Sequence, residues 1–200
     1  MAGHWQDFVL TFVPLFIVID AFGNLPFVIS MGEDMMKQER NRLVHIAIIT
    51  ATAVGLVFLF FGQFILTVMG ISVGSFAIAG GLILLILSIR YMSTGHMVVA
   101  AKEELVAVVP IGTPLTVGPA TITTLLLLVL QFPLYIVLIS FALNMLITWI
   151  IFLLSNYIVR FMGLGGLRAV SRVFSLLLTA IGVSMIIHGL SLVGIIDIAG

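Results

Sequence analysis

Apolar residues dominate this chain in long blocks, and the polar residues fall mainly between them. Reading for runs of about 20 mostly apolar residues, the length needed to cross a hydrocarbon core of roughly 30 Å, gives spans at 8–30, 43–68, 72–89, 105–130, 134–159 and 173–196. The uncharged stretch 43–89 is too long for one crossing, and Met69-Gly70-Ile71-Ser72 marks its turn. Gln131-Phe132-Pro133 divides 105–159 in the same way. Strands of a membrane barrel alternate polar and apolar residues over about ten positions. These blocks are apolar on every face and twice that length, so the pattern predicts an all-α membrane protein of six transmembrane helices.

Composition agrees. Hydrophobic residues make up 62% of the 200 and charged residues only 8%, against roughly 25% charged in an average soluble domain. A soluble surface needs polar cover that this chain does not have. Formal net charge is zero, which gives no reason to expect a nucleic-acid partner. No cysteine is present, so disulfides, thiolate nucleophiles and cysteine metal sites are excluded. No basic residue precedes the first apolar run, so that run reads as a retained helix rather than a cleaved signal.

With six crossings, the basic residues Lys37, Arg40, Arg42, Arg90, Lys102, Arg160, Arg168 and Arg172 all fall in the first, third and fifth connections. By the positive-inside rule that side is cytoplasmic. The expected location is the inner (plasma) membrane, with both termini extracytoplasmic. Trp5, Tyr91, Tyr135 and Tyr157 fall near predicted helix ends, where amphipathic rings prefer to sit.

The chain also repeats itself. Val13-Pro14-Leu15 near the start of the first helix recurs as Val109-Pro110-Ile111 near the start of the fourth. Three crossings per half, about 8–92 and 105–196, place the halves in the membrane with opposite orientation. This is the inverted-repeat architecture of many secondary transporters. Each half opens with an interrupted helix: Asp20-Ala21-Phe22-Gly23-Asn24-Leu25-Pro26 in the first, and Gly112-Thr113-Pro114 through Gly118-Pro119 in the second. Pro26, Pro114 and Pro119 remove N–H donors and clash with the preceding turn. Backbone unwound at membrane depth must be satisfied by protein or by a hydrated cavity. Free N–H groups at a half-helix start suit a carboxylate, and freed carbonyls suit an ammonium or a cation.

Asp20 is the only acidic residue inside a predicted span, where a carboxylate costs roughly 2.5–3.5 kcal/mol on insertion scales. Two roles fit it: contact with substrate or a coupling ion, and a local cap accepting N–H bonds from Gly23 or Asn24. The expected site is a small polar cavity near the midplane, lined by Asp20, Gly23, Asn24, Thr113, Gly118, Thr121 and Thr123. Few large aromatics flank the breaks, and threonine and glycine dominate the fourth helix. Asn144 and Thr148 share one face of the fifth helix. Gly80-Gly81 and the series Ala47, Ala51, Gly55 read as close-packing faces.

Taken together, Asp20-Ala21-Phe22-Gly23-Asn24-Leu25-Pro26-Phe27, Ala79-Gly80-Gly81, Val109-Pro110 through Gly118-Pro119-Ala120-Thr121-Ile122-Thr123, and Ser171-Arg172 resemble the MarC family along the whole chain. Many members have proline where this chain has Ala21 and glycine where it has Ala120. The family is one of six-span inner-membrane proteins and includes archaeal transporters of small neutral amino acids. The resemblance therefore implies a transporter of the glycine and alanine class, coupled to Na⁺ or H⁺, with no cofactor and a possible homo-oligomeric state. A P-loop is absent from the sequence, so ATP does not drive transport within this chain. The competing readings are a non-transporting membrane scaffold and an intramembrane enzyme. The enzyme lacks the second carboxylate that aspartyl chemistry requires.

Overall fold

The computed structural model describes residues 2–25, 28–29, 35–94 and 116–196. Among these residues the regular structure is helical: α1 Ala2–Ile19, α2 Lys37–Val68, α3 Val73–Thr94, α4 Pro119–Gln131, α5 Leu134–Leu153 and α6 Ser155–Leu192. Lys37–Val68, Leu134–Leu153 and Gly165–Leu192 are long and apolar enough to cross a membrane. His4–Ile19, Val73–Ile89 and Ala120–Gln131 are shorter apolar helices.

The local signals explain several ends. The Glu39 carboxylate accepts the Met36 N–H at the start of α2, and Ser72 Oγ accepts the Ser75 N–H at the start of α3. Both satisfy donors that a helix start leaves over. Gly70, at φ 68°, turns the chain between α2 and α3. Pro133 opens α5 at the expected split.

Other boundaries differ from the hydropathy reading. The fifth span was expected to run to 159 and the sixth to begin at 173, yet α5 stops at Leu153 and helix resumes at Ser155. Arg160, Arg168 and Arg172 therefore ride on α6 instead of lying in a loop. Hydropathy reports compatibility with lipid, and a helix continuing into a polar zone is invisible to it. α6 is interrupted at Gly163, whose φ of 66° and ψ of 170° lie outside the helical region. α1 and α2 also begin earlier than expected, for the same reason.

The surface is apolar. Phe60, Phe61, Phe64, Ile86, Ile89 and Leu176 are all exposed large hydrophobics, and Phe161 is 92% exposed. Inside, polar residues are buried: Thr11, Ser140, Asn144, Thr148 and Ser175 among them. An apolar exterior around a partly polar interior is what lipid as solvent selects, since hydrogen bonds rather than apolar burial hold membrane helices together.

α3 packs along α6, α1 on α5, and α4 against α1, α2 and α3; α2 also meets α5, and α1 meets α6. The α3–α6 seam is built of glycines. A Cβ on Gly74 would stand 2.9 Å from the Gly189 carbonyl oxygen, and one on Gly189 2.7 Å from that of Gly74. These helices run antiparallel, as do α2 and α5, where Gly55 meets Phe141 and His45 meets Trp149. α1 and α5 run parallel: His4 reaches Tyr135, Thr11 bonds Ser140 at 2.7 Å, and the Asn144 amide donates to the Phe12 carbonyl at 3.2 Å. Gly55, Gly80, Gly81 and Ala51 are all packed, in keeping with the close-packing faces expected of them.

Candidate functional site

The interruption of α1 begins at Asp20, three residues ahead of Gly23. Asp20 is buried and takes a left-handed backbone conformation at φ 44°, which aspartate and asparagine tolerate better than most residues. In a continuing helix the Gly23 N–H would return to the Ile19 carbonyl; here it donates to Asp20 Oδ1 at 3.0 Å. The Asn24 amide then takes its place, donating to the carbonyls of Ile19 at 3.2 Å and of Asp20 at 3.0 Å. A carboxylate closes the turn and an amide caps the spent helix, so the capping role foreseen for Asp20 is present.

At the second expected interruption the described chain resumes at Thr116, and α4 begins after its N-cap Gly118, with Pro119 in the first turn. Proline suits that position because its missing N–H would have had no helical partner. Thr121 Oγ1 donates to the Thr116 carbonyl at 3.1 Å, tying α4 back to the incoming chain. Thr124 donates to the Ala120 carbonyl. Thr123 packs on Gly80, where an added Cβ would come within 2.8 Å of the threonine Cβ. A Cβ on Gly118 would meet nothing within 4 Å among the described residues. Thr113, Pro114 and Pro26 lie outside the described residues.

The two interruptions draw on shared cores. Ile19, Ala21, Leu25 and Val117 belong to one buried apolar cluster, and Ile17, Val18 and Ala120 to another. α1 contacts α4 directly. The carbonyl end of one short helix and the N–H end of another thus enter one interior.

Two features were not read from the sequence. Phe16, Phe22 and Phe174 pack edge to face around the α1 break, with ring centres 5.9–6.4 Å apart. This corrects the expectation that few large aromatics flank it; Phe174 comes from the far end of the chain, and only tertiary packing brings it there. Thr116 is buried, and its Oγ1 has no hydrogen-bond partner among the described residues. Asn144, on the α5 face it shares with Thr148, makes a helix–helix hydrogen bond to the Phe12 carbonyl, and its Oδ1 is unpartnered among the described residues. Two clefts bordered by described residues, of about 750 Å³ and about 150 Å³, are lined by none of Asp20, Gly23, Asn24, Gly118, Thr121 and Thr123. No group of three or more His, Asp or Glu among the described residues is placed to hold a metal.

An apolar surface, long apolar helices and a first helix that breaks inside the protein define an integral, multi-pass membrane protein. The chain belongs to the MarC family of integral membrane proteins, whose model matches residues 5–193. It is similar to a UPF0056 membrane protein of Methanocaldococcus jannaschii, 31% identical over 92% of this chain and 96% of that one. A second from the same organism is 33% identical over 92% and 86%, and one from Buchnera aphidicola is 29% identical over 92% and 96%. No solved structure matches the chain.

Proposed function

We propose that this protein is a secondary transporter of small neutral amino acids of the glycine and alanine class, coupled to Na⁺ or H⁺ by alternating access in the inner membrane. One observation carries the reading: α1 ends at Ile19 and α4 begins at Pro119, the two helices contact each other, and Ile19 and Val117 beside those ends share one buried cluster. Helix C-termini attract cations and N-termini attract anions, so the two ends suit the ammonium and carboxylate of one zwitterion. Asp20, Gly23, Asn24, Gly118, Thr121 and Thr123, with Thr113, are the residues assigned to this site.

The helix contacts favour the inverted repeat that such transport uses. Exchanging α1 with α4, α2 with α5 and α3 with α6 carries the α1–α5 contact onto α4–α2 and the α3–α4 contact onto α6–α1. The α1–α4, α2–α5 and α3–α6 contacts map onto themselves. At α3–α6, exchanging Gly74 with Gly182 and Gly81 with Gly189 swaps one glycine contact for the other. The relative directions of α1, α2, α3, α5 and α6 also fit six alternating crossings.

The competing reading is a non-transporting membrane scaffold. The internal capping of Asp20 and Asn24 favours it, because those bonds need no ligand. Counterflow of labelled glycine or alanine in proteoliposomes, with Na⁺ and pH gradients imposed separately, decides between them. Exchange stimulated by one gradient is the expected result. Absence of exchange by well-folded protein under both gradients overturns the transporter.

A further inference from the structure

A cleft of about 750 Å³ opens where the start of α2 meets the junction of α5 and α6. Lys37 and Arg40 enter it from α2 and Arg160 from α6, with Asn41, Asn156 and Tyr157 beside them. No carboxylate lines it among the described residues. Glu39, the nearest acid along α2, bonds the Met36 N–H at its own helix start. The N-terminus of α2 at Lys37 borders the same space, and its positive dipole end adds to the field. Leu153 and Leu154 supply an apolar wall. Tyr157 and Phe161, on the adjoining turn of α6, are 71% and 92% exposed, as expected of rings seated at the level of lipid headgroups.

We propose that this cleft binds the phosphate of an anionic phospholipid headgroup, with Arg40 and Arg160 as its principal contacts and the acyl chain against the leucine wall. Arginine forks match phosphate oxygens, and basic recesses between membrane helices recognise such headgroups. The positive-inside rule alone explains basic residues on this side of the membrane. It does not explain three cations from two helices converging on one recess, while Arg42, Arg168 and Arg172 stay exposed outside it.

The test titrates purified full-length protein in detergent with short-chain phosphatidylglycerol, short-chain phosphatidylcholine or inorganic phosphate, reading bound adducts by native mass spectrometry. Phosphatidylglycerol is expected to bind more tightly than phosphatidylcholine. Arg40→Gln and Arg160→Gln should each weaken it roughly fivefold and together roughly thirtyfold, from about 1 kcal/mol per basic residue. Arg40→Lys and Arg160→Lys should each lose less than the glutamine variants, because they keep the charge and give up the fork, and Arg168→Gln should keep full affinity. Equal binding of the two lipids overturns the proposal. So does an equal loss in Arg168→Gln, which means a diffuse surface field, or inorganic phosphate binding as tightly as the lipid, which makes free phosphate the ligand. Should the double variant not remain monodisperse, the single variants and the lysine pair give the same discrimination. None of these readings depends on transport.

Discussion

Gly81 and Gly182 face each other so closely that a Cβ on the first would stand 2.5 Å from the carbonyl oxygen of the second. The obstacle is backbone, which cannot turn aside as a side chain can. Gly81→Ala should therefore part α3 from α6 and destabilise the protein by about 1–3 kcal/mol, the usual range for overpacking. Gly165→Ala is the control, because nothing lies within 4 Å of a Cβ there. Thermal unfolding in detergent should show a clear drop for the first variant and little change for the second.

Asn24 holds the end of α1. Asn24→Ala removes both amide donors and leaves the Ile19 carbonyl without the partner that replaced Gly23. A buried acceptor left unmade costs about 1–3 kcal/mol. Asn24→Asp should be at least as harmful, since it presents oxygen to two carbonyls. Thermal unfolding of both variants tests this, and unchanged stability in Asn24→Ala means that water or another residue satisfies the turn.

Thr116 is expected to behave in the opposite way. Its hydroxyl is buried and unpartnered among the described residues, so Thr116→Val keeps the shape and removes an unsatisfied group. Stability should hold within about 1 kcal/mol or rise. If the hydroxyl awaits a ligand at the α4 break, affinity for the transported amino acid should fall in the same variant. Full affinity together with a gain in stability assigns Thr116 no part in the site.

Topology gives an independent check on the helix arrangement. A reporter fused after Gly200 is expected outside the cytoplasm and one inserted within 31–42 inside it. A C-terminus on the same side of the membrane as 31–42 would contradict both the six crossings and the inverted repeat.

The sequence made the membrane class, the turn at Met69–Ser72, the split at Pro133 and the packing glycines legible, because each rests on composition or on one residue's backbone limits. Asp20–Gly23 was legible as a cap for the same reason. The end of α5 at Leu153 and the continuation of α6 through Arg160 and Arg168 were not, since lipid compatibility and helicity diverge in a polar zone. Neither was the meeting of Phe16 and Phe22 with Phe174, nor the convergence of Arg40 with Arg160. Those depend on which helices become neighbours, and apolar blocks with apolar faces all round carry no mark of their partners.

Asp20 decides how much of the proposed mechanism rests on charge. Its Oδ1 receives the Gly23 N–H, and its φ of 44° is one asparagine also adopts readily. Asp20→Asn therefore preserves the acceptor and the turn while removing the carboxylate, and it should still fold and insert into the membrane. If the carboxylate meets substrate ammonium or the coupling ion, gradient-driven exchange should be abolished in that variant. Normal exchange with asparagine would leave Asp20 as a turn residue only and move coupling elsewhere. Gly118→Leu tests the facing break from the other side. A Cβ at Gly118 meets nothing within 4 Å among the described residues, so the leucine should be accepted there, with its bulk beside the start of α4. Substrate affinity should then collapse while the protein stays folded. A folded Gly118→Leu protein with parental affinity would show that substrate does not pass against the start of α4, whatever Asp20 does.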